Sequence, residues 1–429
     1  MSAPAILVAF PTSWDARNLF PPEGPPPWLA APVVALAPRD EDVRFDFDAV
    51  RFVEDVAREW RGRAGGVVTS SDYPGAIAAA AIADALGLPG GNPAARLAAS
   101  HKYASRLAQR LAAPEATPEF ALVEPDRPRE TAARIGFPCF VKPVRGSFSL
   151  FARRIDSADE LEAFVRSEAV LDFLVHYPVM YDRLAARFGA PPSASTGRCF
   201  LAETLIQGDQ VTVEGFVHRG EPAILGIVDS IMHPGTRSFA RFDFPSSLDD
   251  EIQEKMEDVA ERVVRRLGLD GTPFNVEMFF EPETGRISII EVNPRMCGQF
   301  ADLYEKVDGT NGYEVALALA AGERPRPKRR AGAHAFAASV PLRTFEAVRC
   351  VGAPDARAVR AAEALFPGTR VWVEARDGEV LGDLATAEDG ASRRYAVVNV
   401  GGRDRAEVLR RAEAVRAALG FRFEPAPHP

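Results

Sequence analysis

The stretch of sequence that decides the fold is TPFNVEMFFEPETGRISIIEVNPRMCGQ, residues 272–299. In its middle lies EPETG, residues 281–285, which has the proline and glycine residues of a turn. Apolar and β-branched residues flank that turn on both sides, a pattern typical of two β-strands. The stretch therefore predicts a β-hairpin.

Polar residues recur at alternate positions on both sides of the turn. Because successive side chains of a strand point to opposite faces, Asn275 and Glu277 share one face of the first strand. Glu291 and Asn293 share one face of the second strand, and Arg295 follows directly after it. The pattern therefore predicts two carboxylates and an amide oxygen on one patch of the hairpin.

The turn sets which residues of the two strands face each other. We expect it to pair Phe280 with Arg286. That pairing places Glu277 opposite Ile289 and diagonal to Glu291. Two carboxylates this close repel each other unless a cation lies between them, and Mg²⁺ or Mn²⁺ prefers such an all-oxygen set. The alternative is a half-exposed hairpin whose acids face solvent, and the spacing alone does not decide between the two.

The order of these residues resembles a known signature. Asn-x-Glu, with fourteen residues from Glu277 to Glu291 and then Glu-x-Asn-Pro-Arg, is similar to the metal-binding pattern of the ATP-grasp superfamily. The resemblance implies that Glu277, Glu291 and Asn293 bind the Mg²⁺ or Mn²⁺ ions that bridge the phosphates of ATP. It also implies that Arg295 lies near the transferred phosphate or the acceptor carboxylate.

Two lysines extend the resemblance toward the nucleotide. Asn92-Pro93 predicts the start of a helix that runs to about Leu111, with Lys102 in its middle. A helix lysine is usually a surface charge, but the resemblance assigns Lys102 to the α-phosphate of ATP. Lys142 lies in the strand pattern FPCFVKP, residues 137–143, where a buried charge is costly unless it meets an anion. The resemblance assigns Lys142 to the nucleotide phosphates and the adenine edge.

The next segment, RGSFS at residues 145–149, resembles the phosphate-covering loop of the superfamily. Backbone N–H groups and the hydroxyls of Ser147 and Ser149 would hold phosphate oxygens there. The sequence departs from the usual pattern after the second serine, where Leu150 replaces a glycine. We therefore expect a bulkier loop than most members have.

A later segment resembles the hinge between the two ATP-grasp lobes. The resemblance implies that Gln210 holds the ribose, where an acid is more usual. It implies that backbone groups read the adenine edge at Glu203, Thr204, Leu205 and Ile206.

Two further segments offer candidate substrate contacts. His233 and Arg241 lie in a loop dense in hydrogen-bond donors, which either binds an anionic substrate or the triphosphate, or is a solvated surface loop. Asp72 and Tyr73 follow a predicted strand, and they either line a pocket or cap the next helix. We favour capping for this pair.

Composition excludes several classes of protein. The chain has 429 residues and a net charge of −9, which argues against general nucleic-acid binding. Its four cysteines show no metal-ligand spacing, so reduced thiols and a cytoplasmic location are expected. No window approaches the about 20 apolar residues of a membrane span, so no membrane partner is expected.

Strand and helix signals predict an α/β and α+β protein with the ATP-grasp fold. Residues 1–112 are interpreted as a Rossmann-like domain, and residues 113–202 as the small lobe, with an insertion at about 168–198. Residues 203–330 are interpreted as the large lobe with the metal site. Residues 331–429, with strands at 370–374 and 395–400 and a helix at 404–419, resemble the C-terminal subdomain of biotin-carboxylase-like and amino-acid-ligase members.

The resemblance implies an ADP-forming ligase that joins a small or amino-acid-like carboxylate to an amine through an acyl phosphate, with ATP and Mg²⁺ or Mn²⁺. The first alternative is a biotin-carboxylase-type enzyme that activates bicarbonate. The second is an ATP-binding module without catalytic activity. The expected partners are small molecules, and a homodimer is an assembly that the resemblance permits.

Overall fold

The computed structural model describes residues 4–44, 46–146, 150–381 and 392–426. The predicted contacts of Ser147 and Ser149 lie outside these described residues. The described chain is a mixed α/β protein with four β-sheets. It also contains single-turn 3₁₀ helices at Asp40–Asp42, Pro114–Ala116, Pro192–Ala194 and Gly298–Phe300.

The first sheet is small and parallel, and its central strand is buried on both faces. The order is β2-β1-β3, with β1 (Ala5–Val8), β2 (Val33–Ala35) and β3 (Ala64–Val68). The accompanying helices are α1 (Ser13–Leu19), α2 (Ala49–Trp60) and α3 (Gly75–Leu86). Since the strands are parallel, the loops after them meet at one edge, and the loop that carries Asp72 is one of these.

Two short helices follow where one long helix was expected. They are α4 (Pro93–Ser100) and α5 (Lys102–Ala112), and the prediction of one continuous helix is wrong. His101 leaves the helical conformation, and its Nδ1 accepts a hydrogen bond of 3.2 Å from the N–H of Ala104. The N–H of Lys102 donates to the carbonyl of Val144 at 2.9 Å. Lys102 is therefore the first residue of α5, next to the end of a neighbouring strand.

The second sheet is antiparallel, in the order β4-β7-β5-β6. Its strands are β4 (Phe120–Val123), β5 (Cys139–Pro143), β6 (Arg153–Ile155) and β7 (Phe200–Thr204). Its helices are α6 (Pro128–Ala132), α7 (Ala158–Val165), α8 (Glu168–His176) and α9 (Val179–Phe188). Pro178 lies between α8 and α9 and directly precedes α9. Helix α8 packs on the core of this sheet, whereas α9 packs on α2, α3 and α4 of the N-terminal part.

The third sheet is the largest, and its first five strands have the order β12-β11-β8-β9-β10. They are β8 (Asp209–His218), β9 (Glu221–Met232), β10 (Phe239–Phe244), β11 (Thr272–Glu281) and β12 (Arg286–Asn293). The helices around it are α10 (Asp250–Arg266), α11 (Ala301–Asp308) and α12 (Gly312–Ala320). The apolar side of α10 packs on one face of this sheet, and α11 packs on the other.

The C-terminal part extends this sheet with β13-β17-β15 beyond β10. These strands are β13 (Phe336–Thr344), β15 (Arg370–Val373) and β17 (Arg393–Gly402). A separate sheet has the order β16-β14-β18, with β14 (Val348–Gly352), β16 (Val380–Leu381) and β18 (Arg422–Pro425). The helices are α13 (Ala356–Glu363) and α14 (Arg405–Leu419). Within the described ranges, every helix is too short or too polar to cross a bilayer.

Candidate active site

The hairpin is formed by β11 and β12, but its register differs from the expected one. Glu281, not Phe280, pairs with Arg286. An irregularity beside Glu277 then brings this residue directly opposite Glu291. The structure therefore places the two carboxylates closer together than the predicted diagonal arrangement.

Asn293 completes the polar patch. Its Nδ2 donates to Asn275 Oδ1 at 2.8 Å, and it lies 3.3 Å from Glu277 Oε1 and 3.4 Å from Glu291 Oε1. A rotation of this amide by 180° would present Oδ1 to a cation instead. The three residues thus fit Mg²⁺ or Mn²⁺, which prefers hard oxygen ligands and is usually completed by water and phosphate. Among the residues that the structure describes, no group of three or more His, Cys, Asp and Glu side chains could hold a metal ion. Metal binding at this patch would therefore need Asn293 and ligands from water or phosphate.

The two carboxylates differ in their tendency to ionise. Burial and the charge of Glu291 raise the pKa of Glu277 well above its ordinary value. Burial acts in the same direction on Glu291, but the charges of Lys102 and Lys142 outweigh it and lower the pKa of that group. Glu291 is therefore the more readily ionised of the two carboxyl groups. A divalent cation bound to both side chains would favour the ionised form of each.

Lys102 lies between the carboxylates and the base of the phosphate-covering loop. Its Nζ is 3.2 Å from Glu291 Oε2 and donates a 2.8 Å hydrogen bond to the carbonyl of Gly146. The ammonium group of Lys102 therefore balances the negative charge of Glu291, as a bound metal ion would. The assignment of Lys102 to the α-phosphate of ATP stays a prediction.

A buried ion network lies beside the hairpin. Lys142 Nζ is 2.7 Å from Glu203 Oε2, and Arg106 Nε donates to Glu203 Oε1 at 2.5 Å. All three side chains are buried, with Arg106 only 1% exposed. Two cations therefore share one carboxylate. Arg106 Nη2 and Lys142 Nζ also donate to the carbonyl of Ile290, at 2.9 Å and 3.3 Å.

This network gives Lys142 a partner within the chain and adds one residue to the site. The assignment of Lys142 to the nucleotide phosphates and the adenine edge stays a prediction, and the structure pairs Lys142 with Glu203. Burial lowers the pKa of Lys142. Burial would raise the pKa of Glu203, but the charges of Arg106 and Lys142 together outweigh burial and lower this pKa. Sequence reasoning missed Arg106, although it lies four residues after Lys102 and so shares a face of α5.

The predicted adenine hinge is the segment at the end of β7. Glu203 lies within this strand, between β4 and β5, and the N–H of Thr204 donates to the carbonyl of Glu119 at 3.0 Å. Leu205 and Ile206 follow in irregular backbone that leads into β8. Gln210 Nε2 lies 3.2 Å from Glu277 Oε2, which brings the predicted ribose contact beside the carboxylate pair.

Asp72 does not cap the helix that follows it, so the favoured interpretation of this residue is wrong. The N–H of Gly75 donates to Ser71 Oγ at 3.2 Å instead. Asp72 lies between two arginines: Arg145 Nη2 is 3.1 Å from Oδ2, and Arg295 Nε is 3.7 Å from Oδ1. Burial would lower the pKa of Arg295, but the combined negative charges around it, of which that of Asp72 is the largest, outweigh burial and raise this pKa.

The structure does not bring His233 and Arg241 to the hairpin. Strands β8 and β9 separate β11 from β10, which carries Arg241. Arg241 Nε donates to both carboxylate oxygens of Asp243, at 3.2 Å and 2.9 Å. The His233 ring packs edge-on against Phe345, with 5.0 Å between centroids. No contact in the described chain joins either residue to the candidate active site.

Comparison with known proteins identifies the central part of this arrangement. Residues 135–302 match the model of the ATP-grasp domain family. The chain contains an ATP-grasp domain. The match includes Lys142, Glu203, the hairpin and Arg295, whereas Asp72, Lys102 and Arg106 lie N-terminal to it.

Individual proteins agree with this assignment. The chain is 32% identical over 217 residues to an uncharacterised protein of Sinorhizobium fredii, covering 49% of this chain and 39% of that protein. It is 26% identical over 216 residues to a D-alanine–D-alanine ligase of Azoarcus, covering 48% and 62%. Its structure superposes on an L-amino acid ligase of Bacillus licheniformis with a TM-score of 0.68 and 17% identity, covering 100% of both chains.

These comparisons establish the ATP-grasp fold and a relation to ATP-grasp ligases. The matched stretches span less than two thirds of the curated relatives, 39% and 62% in the two cases above. At 17% identity the structural likeness shows the fold alone. The substrates and the roles of individual residues are therefore the subject of the proposal that follows.

Proposed function

We propose that this protein is an ATP-dependent, ADP-forming ligase that joins a small or amino-acid-like carboxylate to an amine. The observation that carries the proposal is the meeting of Glu277, Glu291 and Asn293 on one patch. Lys102 and Arg295 flank this patch. Oxygen ligands with cationic side chains beside them suit the binding of a metal–triphosphate complex. A hairpin with a purely structural role would not need this arrangement.

The nucleotide would lie between the second sheet, which contains β5 and β7, and the third sheet, which contains β11 and β12. Lys102 and Lys142 would bind its phosphates, Gln210 its ribose, and the hinge at 203–206 its adenine. Mg²⁺ or Mn²⁺ held by Glu277, Glu291 and Asn293 would supply charge neutralisation of the triphosphate. The predicted role of the loop at 145–149 is to exclude water from the reacting groups.

The carboxylate substrate would bind at Arg295. The guanidinium of Arg295 is 3.7 Å from Asp72, which is longer than a hydrogen bond. Its N–H groups can therefore still donate two parallel hydrogen bonds to a substrate carboxylate. A carboxylate oxygen would attack the γ-phosphorus and release ADP, because a carboxylate itself is a poor electrophile. The amine would then attack the carbonyl carbon of the acyl phosphate, phosphate would leave, and the amine proton would pass to solvent.

The test is an assay of the purified protein for ADP and phosphate release against amino acids, hydroxy acids and bicarbonate, with product analysis by chromatography. We expect ADP and phosphate with an amine and a carboxylate present, and no AMP or pyrophosphate. AMP would exclude the acyl-phosphate route. Turnover with bicarbonate alone would favour the biotin-carboxylase-type activity, and ATP binding without turnover would favour a non-catalytic module.

Arg295→Lys is expected to lose at least about 90% of the activity, on the order of 1.4 kcal/mol of barrier, although it keeps the charge. A lysine is a point charge and cannot bind a carboxylate through two parallel hydrogen bonds. Initial rates at saturating ATP measure the effect, and Arg286→Lys in the hairpin turn is the matched control. A fully active Arg295→Lys protein would remove this side chain from the mechanism.

Lys102→Met is expected to affect the two ligands in opposite directions. Loss of the ammonium 3.2 Å from Glu291 frees the carboxylates, so nucleotide-free protein should bind Mn²⁺ more tightly. The same change removes a phosphate contact, so ATP should bind roughly tenfold more weakly. Electron paramagnetic resonance of free Mn²⁺ and calorimetry of ATP binding measure the two effects. The exposed Lys255→Met is the control, and weaker Mn²⁺ binding by Lys102→Met would contradict this role.

A further inference from the structure

One carboxylate joins three separate parts of the chain. Asp72 follows β3 of the N-terminal sheet, Arg145 precedes the phosphate-covering loop, and Arg295 follows the hairpin. The carboxylate oxygens of Asp72 are divided between the arginines, with Oδ2 at 3.1 Å from Arg145 and Oδ1 at 3.7 Å from Arg295. Asp72 lies outside the matched domain at 135–302, so the chain supplies this contact from its N-terminal part.

Arg145 is a fixed anchor for this carboxylate. Its side chain is buried, and its Nη1 lies 3.4 Å from the carbonyl of Ser100. The guanidinium lies over the ring of Tyr73, 4.4 Å from the centroid. Tyr73 in turn stacks on Tyr177, between α8 and α9, at 5.5 Å. These contacts restrict Arg145, and through it they restrict the position of Asp72.

Arg295 has no comparable anchor among its described contacts. The charges of Glu277 and Glu291, like that of Asp72, lie close enough to raise its pKa. Without Asp72, the carboxylates that remain near Arg295 are these two and Glu214, which already accepts a backbone N–H at 2.9 Å. A guanidinium drawn onto Glu277 or Glu291 would occupy oxygens that a metal ion needs, and it would leave the carboxylate-binding position.

We infer that Asp72 is a positioning residue that holds Arg295 away from the metal-binding carboxylates. The inference rests on the proposed function, because it takes Glu277 and Glu291 as metal ligands. It assigns the N-terminal sheet a direct part in the reaction. The sheet would fix the orientation of Arg295 and so preserve both the metal site and the carboxylate site.

A double-mutant cycle of Mn²⁺ affinity tests the inference without knowledge of the carboxylate substrate. Mn²⁺ is titrated into protein saturated with ATP, and free Mn²⁺ is followed by electron paramagnetic resonance. We expect Asp72→Asn to weaken Mn²⁺ binding about tenfold in the wild-type background. In an Arg295→Met background we expect Asp72→Asn to change the affinity less than about twofold. Asp72→Glu, which keeps the charge, should restore most of the loss.

The cycle separates positioning from a direct effect of charge. Asp40→Asn is the control, because Asp40 accepts from Ser71 on the same loop and has no ion pair with either arginine. An equal loss for Asp72→Asn with and without Arg295 would overturn the inference, and so would no loss at all. If Asp72→Asn fails to fold by circular dichroism, Asp72→Ser takes its place in the cycle. Wild-type protein that binds no Mn²⁺ with ATP would overturn the proposed function itself.

Discussion

Glu291→Gln is expected to weaken the binding of Mn²⁺ in the presence of ATP at least about 100-fold and to reduce ADP release below a tenth of the wild-type rate. The substitution keeps the shape of the side chain and removes the more readily ionised carboxylate of the pair. Neutralisation of the triphosphate by metal lowers the barrier by several kcal/mol, and a tenth of the rate corresponds to about 1.4 kcal/mol. The site should lose activity while the fold persists.

Glu283→Gln is the matched control for this experiment. Glu283 is an exposed acid in the turn of the same hairpin. Glu283→Gln removes the same charge at a position without contact to Glu277, Glu291 or Asn293. We therefore expect unchanged Mn²⁺ affinity and an unchanged rate of ADP release. Thermal unfolding of both variants should resemble that of the wild type. More than a tenth of the wild-type rate for Glu291→Gln at saturating Mg²⁺ would contradict the metal assignment.

The hairpin shows what the sequence could predict and where the prediction stopped. Its turn and its two strands follow from local composition, and their alternation correctly placed Glu277 with Asn293 on one face. The register was wrong for two reasons: the turn pairs Glu281 rather than Phe280 with Arg286, and an irregularity lies between Glu277 and Met278, opposite Glu291 and Ile289. The pair Ile289-Ile290 is apolar throughout, so no break in the pattern marks the extra residue.

The errors outside the hairpin share another cause. The break between α4 and α5 depends on the carbonyl of Val144, which accepts from Lys102 across 42 residues of sequence and overrides the helical propensity on both sides of His101. The partners of Lys142 and Asp72 are still more distant in the chain. Local patterns identify charged residues that need partners, but only the packed sheets show which partners these are.

The buried network leads to the largest expected effect on stability. Glu203→Gln is expected to lower the free energy of unfolding by about 3–5 kcal/mol, the usual cost of removing one partner from a buried ion pair. Glu203 is the carboxylate shared by Arg106 and Lys142, so its loss leaves two buried cations without an anion. Urea unfolding followed by circular dichroism measures the change. Glu413→Gln, in an exposed pair with Arg416, is the control and should cost at most about 1 kcal/mol.

The same variant distinguishes the two roles of Lys142. If Lys142 also meets the phosphates, ATP replaces part of the missing charge, and the rise in melting temperature on adding ATP should be larger in Glu203→Gln than in the wild type. An ATP effect no larger than that of the wild type would confine Lys142 to the ion network.

The pH dependence gives an independent check on Glu203→Gln. Burial already lowers the pKa of Lys142 in the folded wild type, and the charge of Glu203 opposes that effect. Without Glu203 the folded pKa should fall further below the unfolded value of about 10.4, so above the folded pKa the unfolded chain binds more protons than the folded one. Stability should therefore rise with pH in that interval, and the deficit of the variant should shrink as the pH rises toward about 10. A deficit that grows with pH would contradict the assignment of Lys142 as a buried cation stabilised by Glu203.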